Sequence, residues 1–290
     1  MITSLTEAPP APPLRFAAPE GDVARTLLVP LWARAEEQRQ PRPLVVDPWA
    51  CAMVAAFDYD FGVLREAQAS QLGCCVRAAQ IDRWVRDFLR RHPDGTVIEL
   101  GVGLNSRSAR LDNQRARWVD VDLPEVIALR RAFFPDTARR TTLAMSITEP
   151  ALYRQLAALS AHGPRLVLSE GVLVYLPPTE VRAVFDQLAH ALAGAEVIFD
   201  LMRPPVLWCQ RGHDAMRHFE AKFVWSEWSE AAVRGFAPTL TLATEVSFYS
   251  LLYAHPERLP LWMRWLGPQL ADRLPDVRSL YTVLRGRFAA

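Results

Sequence analysis

The stretch Thr96-Val97-Ile98-Glu99-Leu100-Gly101-Val102-Gly103-Leu104-Asn105-Ser106-Arg107 decides how this chain is read. Residues suited to a buried strand run straight into a turn with two glycines one residue apart, and an acid lies two places before the first of them. Glycine accepts positive φ and lets a ligand lie on the main chain with no Cβ in the way, so the segment reads as the floor of a nucleotide or adenosyl pocket. The acid at the strand end argues against a pyrophosphate as that ligand.

Outward from this segment the pattern alternates. Strands are expected at 96–100, 118–122, 141–145, 166–170 and 195–201, with helices at 106–112, 124–134, 149–159 and 178–192 between them. Short apolar strands separated by helices imply an α/β fold with a parallel sheet covered on both faces. Further on, a helix at 226–235 and strands at 240–249 and 279–285 are expected. Upstream, a helix is expected over 22–38 with Asp22 as N-cap and an interruption at Pro30. Asp47-Pro48 marks another helix start. A long helix over 68–91 carries Leu72, Val76, Ile81, Trp84, Val85, Phe88 and Leu89 on one broad face. The proline-crowded residues 1–21 read as a flexible tail, and 22–290 as a single domain.

With 290 residues, half of them apolar, a sizeable core is available. The formal net charge of +1 gives no reason to expect nucleic acid or an anionic membrane as partner. Cys51, Cys74, Cys75 and Cys209 have no CxxC spacing and read as reduced thiols. No HExxH motif or Cys/His cluster suggests a metal. No window has the length of a transmembrane helix and no signal pattern opens the chain, so a soluble, cytoplasmic protein is expected. Composition leaves its oligomeric state, monomer or homo-oligomer, open.

In an open parallel sheet, ligands bind beyond the carboxyl ends of the strands. Those ends carry Glu99 with Gly101 and Gly103, then Asp120-Val121-Asp122-Leu123, then Ser146-Ile147, then Glu170. An acid about twenty residues after the glycines suits the two hydroxyls of a ribose, although Asp120 or Asp122 could instead cap the helix at Pro124. A dinucleotide site would want a third glycine where Ser106 stands, and the strand-end acids would repel a diphosphate. A sulfonium cofactor with a free amino group is attracted by them. The residue chemistry therefore favours S-adenosylmethionine over NAD, with an NAD-dependent oxidoreductase as the lesser alternative.

The chain also resembles the leucine carboxyl methyltransferase family, in particular its bacterial branch of polyketide O-methyltransferases. The resemblance begins at Arg25-Thr26-Leu27-Leu28-Val29-Pro30-Leu31-Trp32 and passes through Asp47-Pro48-Trp49-Ala50, then Arg77 and Ile81-Asp82. It is strongest over Glu99–Arg107 and Trp118–Pro124, and closes at Glu170-Gly171-Val172-Leu173-Val174-Tyr175-Leu176. It implies a class I SAM-dependent methyltransferase (Rossmann-like) fold, with a mostly parallel seven-stranded sheet. It also implies that Arg77 holds the cofactor carboxylate, that Gly101 and Gly103 line the methionine and adenosine, and that Asp122 takes the ribose. Ser146 and Ile147 would flank the adenine, Glu170 would approach the amino group, and Tyr175 would lie near the mouth. Glu99, Asn105 and Leu123 complete the candidate cofactor-binding set. The family usually has aspartate and threonine at Asn105-Ser106 and aspartate at Ser146.

Between Met202 and Trp228 the chain carries Trp208, Phe219, Phe223, Trp225 and Trp228, with His213 and His218 among them. This insert is read as a helical lid, its aromatics either gripping a flat small-molecule substrate or forming the lid's own core. His213, beside Asp214, is the candidate base and Tyr175 a second candidate catalytic residue. The expected activity is methyl transfer to a carboxylate or hydroxyl oxygen of an aromatic or polyketide natural product. A SAM-binding member that has lost or changed methyl transfer is the other alternative.

Overall fold

Near-continuous burial along the central strands builds a sheet covered on both faces, in a computed structural model that describes residues 15–290. The strands of the main sheet are β3 (Thr96–Leu100), β4 (Arg117–Asp122), β5 (Arg140–Ala144), β6 (Arg165–Ser169), β7 (Glu196–Met202), β8 (Leu240–Ser247) and β9 (Tyr281–Phe288). Their order is β5-β4-β3-β6-β7-β9-β8. The first five pair in parallel, whereas β9 runs antiparallel to both β7 and β8. Alternate residues face opposite layers. Ile98, Val119, Val121, Val167 and Val197 pack on one face with Leu152 and Leu156 of α7 (Pro150–Leu159) and Val184, Phe185 and Leu188 of α8 (Pro178–Ala191). Val97, Trp118, Leu166, Leu168 and Ile198 meet Ile81, Trp84, Val85 and Phe88 of α4 (Gln68–Arg91) on the other. Burying both faces suits the apolar runs of these strands.

The strand order switches between β4–β3 and β6–β7, which opens a crevice at the carboxyl ends of β3 and β6. Helices α1 (Asp22–Arg25), α2 (Leu28–Glu37) and α3 (Pro48–Ala56) form an N-terminal layer packed on Leu104, Val126 and Phe134. Asp47 caps α3 by accepting from Ala50 N at 3.0 Å, with Pro48 opening the helix, as the sequence suggests.

The differences from expectation have local causes. Residues 22–38 form two helices, with the break at Thr26–Leu27 rather than at Pro30. Pro30 sits in the first turn of α2, where no N–H is required, and Gly21, not Asp22, occupies the cap position of α1 at φ +88°. The expected tail cannot run to residue 21. Phe16–Ala17 (β1) pairs with Phe57–Asp58 (β2), and the Phe16 ring packs tilted against that of Phe133, 5.2 Å between centroids; residues 1–14 lie outside the described residues. The strand expected over 240–249 stops at Ser247, whose hydroxyl accepts from Ser250 N and starts α11 (Phe248–Tyr253). Helix α12 (Leu261–Arg273) is an addition to the expected elements and carries Pro268 inside it. The insert after β7 holds one short helix, α9 (Pro204–Trp208), two 3₁₀ turns at Gln210–Gly212 and Met216–His218, and irregular chain up to α10 (Glu230–Phe236).

Candidate functional site

A cavity of about 610 Å³ lies over the carboxyl ends of β3, β4, β6 and β7. Ten candidate residues border it: Arg77, Glu99, Gly101, Gly103, Asn105, Asp122, Leu123, Glu170, Tyr175 and His213. Ser146 and Ile147 do not. Ser146 is turned into its own loop, its N–H donating to Glu149 and its hydroxyl bonded to Thr148, while Ile147 is buried beneath Tyr153, whose hydroxyl donates to its carbonyl.

The floor is the glycine turn. Gly101 and Gly103 have φ of +67° and +51°, and a Cβ on Gly101 would lie 2.3 Å from Val172 Cγ2. The turn's carbonyl oxygens are held by buried arginines: Arg130 donates to Gly103 O and Asn105 O, and Arg34 to Leu104 O. Asp122 closes it from the other side, accepting from Gly103 N at 2.6 Å and Leu123 N at 2.8 Å. Burial pushes the Asp122 carboxyl above its usual range.

Behind the floor runs an ion network whose hub the sequence reading passed over. Arg107, wholly buried, donates to Asp82 at 2.8 Å, to Glu170 at 2.6 Å and to Glu99. Arg110 adds a second guanidinium to Asp82, and Arg77 bridges Glu170 at 2.9 Å and Asp200 at 3.3 Å. Tyr281 donates to Asp200 while accepting from Arg77. Asp82 is held at about 2: burial works against its charge, but Arg110 and Arg107 outweigh it. Glu170 is likewise lowered, against the pull of burial, by Arg107 and Arg77. Arg107 closes the quoted motif and Asp82 follows Arg77 by five residues on α4. Both were in view, but nothing in the sequence pairs two helices across a strand end.

Glu99 differs from these neighbours. Asn105 Nδ2 and Arg107 both donate to Oε1, while Oε2 is buried without a partner among the described residues. Burial pushes its carboxyl up to about 7, with the Arg107 charge opposing and Asp120 reinforcing the shift. Asn105 supplies a bond here that an ionised aspartate could not, since Asn105 Nδ2 is a donor. Five arginines (34, 77, 107, 110, 130) face six acids (Asp47, Asp82, Glu99, Asp120, Glu170, Asp200) in the paired clusters, which leaves one negative charge in excess once Glu99 is ionised. That donor set fits S-adenosylmethionine. An orphaned acid meets an ammonium, a net negative floor meets a sulfonium, and the glycine turn leaves room against the backbone.

The opposite wall is largely apolar, formed by Val23, Leu27, Val29, Val174, Met202, Met216, Phe223 and Phe248 with Tyr175 and His213. Of the five aromatics read as either gripping a substrate or forming the lid's own core, Phe223 borders the cavity. Trp225 is buried in the main core, and Trp208 and Trp228 are exposed, packed edge to face at 5.7 Å. Asp214 is no partner reserved for His213. It caps α4 from a distance of 144 residues, accepting from Ala69 N, Ser70 N and Ser70 Oγ. His213 Nδ1 accepts from Met216 N at 3.3 Å, and burial lowers its pKa despite Asp214. With Nδ1 accepting from Met216, a neutral ring carries its proton on Nε2.

Residues 28–189, more than half of the chain, match the family model for leucine carboxyl methyltransferase. The chain belongs to the leucine carboxyl methyltransferase family. It is an enzyme of the S-adenosylmethionine-dependent methyltransferases. Tetracenomycin polyketide synthesis O-methyltransferase TcmP of Streptomyces glaucescens is 30% identical over 267 residues, covering 92% of this methyltransferase and 97% of TcmP. The S-adenosyl-L-methionine-dependent methyltransferase dpfgK of Gibberella zeae is 28% identical, over 60% of this chain and 64% of that protein. Among solved structures, a DUF574 family protein from Streptomyces avermitilis shares the fold, with a TM-score of 0.55 at 14% identity, covering 89% of this chain and 97% of its own. Among the described residues, no group of histidine, cysteine and acidic side chains could hold a metal, and no helix is long and apolar enough to cross a membrane.

Proposed function

We propose that this methyltransferase methylates a carboxylate oxygen of an apolar aromatic acid of polyketide type. The observation that carries the reading is that, among the described residues, the acceptor side offers no free base. His213 Nδ1 is occupied as an acceptor, and Asp214 is committed to the α4 N-terminus. Burial raises the Cys74 thiol, holds the Tyr175 phenol at about 12, and raises Tyr281, whose hydroxyl is given to Asp200. A carboxylate arrives ionised and needs no base. The similarity to TcmP supports a polyketide acceptor, and the apolar wall supports a flat, hydrophobic one.

S-adenosylmethionine, when bound, supplies an electrophilic methyl on a sulfonium. The chain's own residues do the rest. Glu99 and Glu170 take the amino group, Arg77 the carboxylate, Asp122 the ribose, and Leu123 with the glycine turn the adenosine. His213 donates from Nε2 to the acceptor oxygen, and Phe223, Met216 and Val174 exclude water, so that catalysis is mainly positioning in a dry pocket. A hydroxyl acceptor is the second reading, favoured by the 3.5 Å approach of Asp214 to His213 Nδ1, which would make that pair the base.

Incubating the protein with S-adenosylmethionine and aromatic acids, each beside its phenol analogue, separates the two. A methyl ester that hydrolyses in mild alkali is expected. A base-stable ether from the phenol would overturn the carboxylate assignment. Absence of calorimetric binding to the cofactor would remove the roles given to the floor residues.

A further inference from the structure

Helix α12 carries its apolar residues outward. Leu261, Trp262, Trp265, Leu266 and Leu270, with Leu274 just beyond, are all at least 48% exposed, and Trp265 reaches 73%. Its inner side is already used. Gly267 sits so close to Tyr253 of α11 that a Cβ would lie 1.5 Å from the hydroxyl, that hydroxyl donates to Met263 O at 2.7 Å, and Ala271 is buried. The helix is thus fixed in orientation, and among the described residues nothing covers the outer face.

We infer that this face pairs with the same face of a second copy of the chain. Area supports it. Two tryptophans and four leucines so exposed present on the order of 700 Å², above the roughly 300–600 Å² of the largest patch on a typical monomer. Twofold pairing would remove roughly 1,400 Å² from water, within the range of a stable, specific interface. Gln269, Asp272 and Arg273, four, seven and eight residues after Trp265, share the outer side and supply polar groups within the patch. Shape agrees too. An isologous antiparallel pairing sets the tryptophans in the first half of one helix against the leucines in the second half of the other. A membrane surface is disfavoured, because a surface-lying helix wants a polar face rich in cations. Here Arg264 is tied to the carbonyls of Leu259 and Glu257, which leaves Arg273 as the other cation of the helix.

The arrangement reaches the cavity through the fold. Helix α11, clasped by α12 through Tyr253, begins with Phe248, which borders the cavity and packs 5.0 Å from the Tyr281 ring.

Sedimentation velocity on the full chain, from about 1 to about 100 µM, tests the pairing. A species of about 65 kDa, twice the 32.7 kDa chain, is expected. Trp265→Glu with Leu270→Glu is expected to raise the dimer dissociation constant by roughly 100-fold or more. Circular dichroism and cofactor affinity should stay unchanged, since neither residue borders the cavity. Should that pair fail to fold, Leu266→Lys, a single change on the same face, reads the same equilibrium. A wild-type monomer across the whole range overturns the inference, as does a dimer that survives folded variants. A monomer that floats with phosphatidylcholine/phosphatidylglycerol vesicles also overturns it, in favour of a membrane.

Discussion

Gly103 donates its backbone N–H to Asp122 Oδ2 at 2.6 Å, so the acid assigned to the ribose also fastens the glycine turn. With Leu123 N on Oδ1, the carboxylate spends one lone pair of each oxygen on the backbone and keeps the others toward the cavity. Binding and loop geometry are therefore coupled at this residue. Asp122→Ala is expected to weaken S-adenosylmethionine binding roughly 10- to 100-fold, in line with losing charge-assisted hydrogen bonds worth about 1.5–3 kcal/mol each. Asp122→Asn, whose single carbonyl oxygen still accepts, should fall between that variant and the wild type. Calorimetric titration measures both, and undiminished affinity in the alanine variant would place the ribose elsewhere.

Gly101 makes a sharper demand on stereochemistry. Its φ of +67° disfavours any side chain, and the space a Cβ would enter is filled by Val172 at 2.3 Å. Gly101→Ala should cost about 2 kcal/mol or more in urea denaturation and abolish measurable cofactor binding. Gly103→Ala meets its nearest atom, Leu27 Cβ, at 3.5 Å and is expected to be milder in stability. Equal losses in the two variants would mean that strain at φ, rather than contact with Val172, dominates.

Much of this site was legible before the fold was known, because strand ends in a parallel sheet converge. The glycine turn, Asp122 and Glu170 are each adjacent in sequence to an apolar strand that announces itself. What escaped was long-range. Asp214 caps a helix 144 residues away, and Asp200 and Tyr281 meet across the antiparallel pair β7–β9; no periodicity records either relation. The two roles open to the insert's aromatics could not be sorted, because aromatic residues look alike in sequence. Trp225 serves the core and Trp208 the surface, and only the path of an irregular chain separates them.

Arg107 joins three carboxylates with no exposed atom to share the burden with water. Removing one partner from a buried ion cluster leaves charge uncompensated, so Arg107→Met is expected to destabilise by about 3–5 kcal/mol. Arg107→Lys, a point charge without the planar fork, cannot serve all three acids and should recover only part of that. Urea midpoints at constant m-value are the measure. A methionine variant as stable as the wild type would show that the cluster gives no net stabilisation.

Glu99 gives the pocket a pH signature whose sign follows from its position. Its carboxyl titrates at about 7 in the fold against an ordinary 4.5, so between those values the folded chain holds a proton that the unfolded chain has lost. Stability from this group therefore falls as pH rises through that window, and Glu99→Gln should flatten the slope relative to wild type. Binding runs the other way. A ligand ammonium favours the ionised carboxylate, so cofactor affinity should rise with pH up to about 7 and then level off. At about pH 6, binding should expel roughly one proton, seen as a calorimetric enthalpy that depends on the ionisation heat of the buffer. Glu99→Gln should bind more weakly and without that dependence. Identical enthalpies for the wild type in phosphate and bis-Tris would show that Glu99 is already ionised in the empty pocket, and that the excess negative charge is held there without a proton.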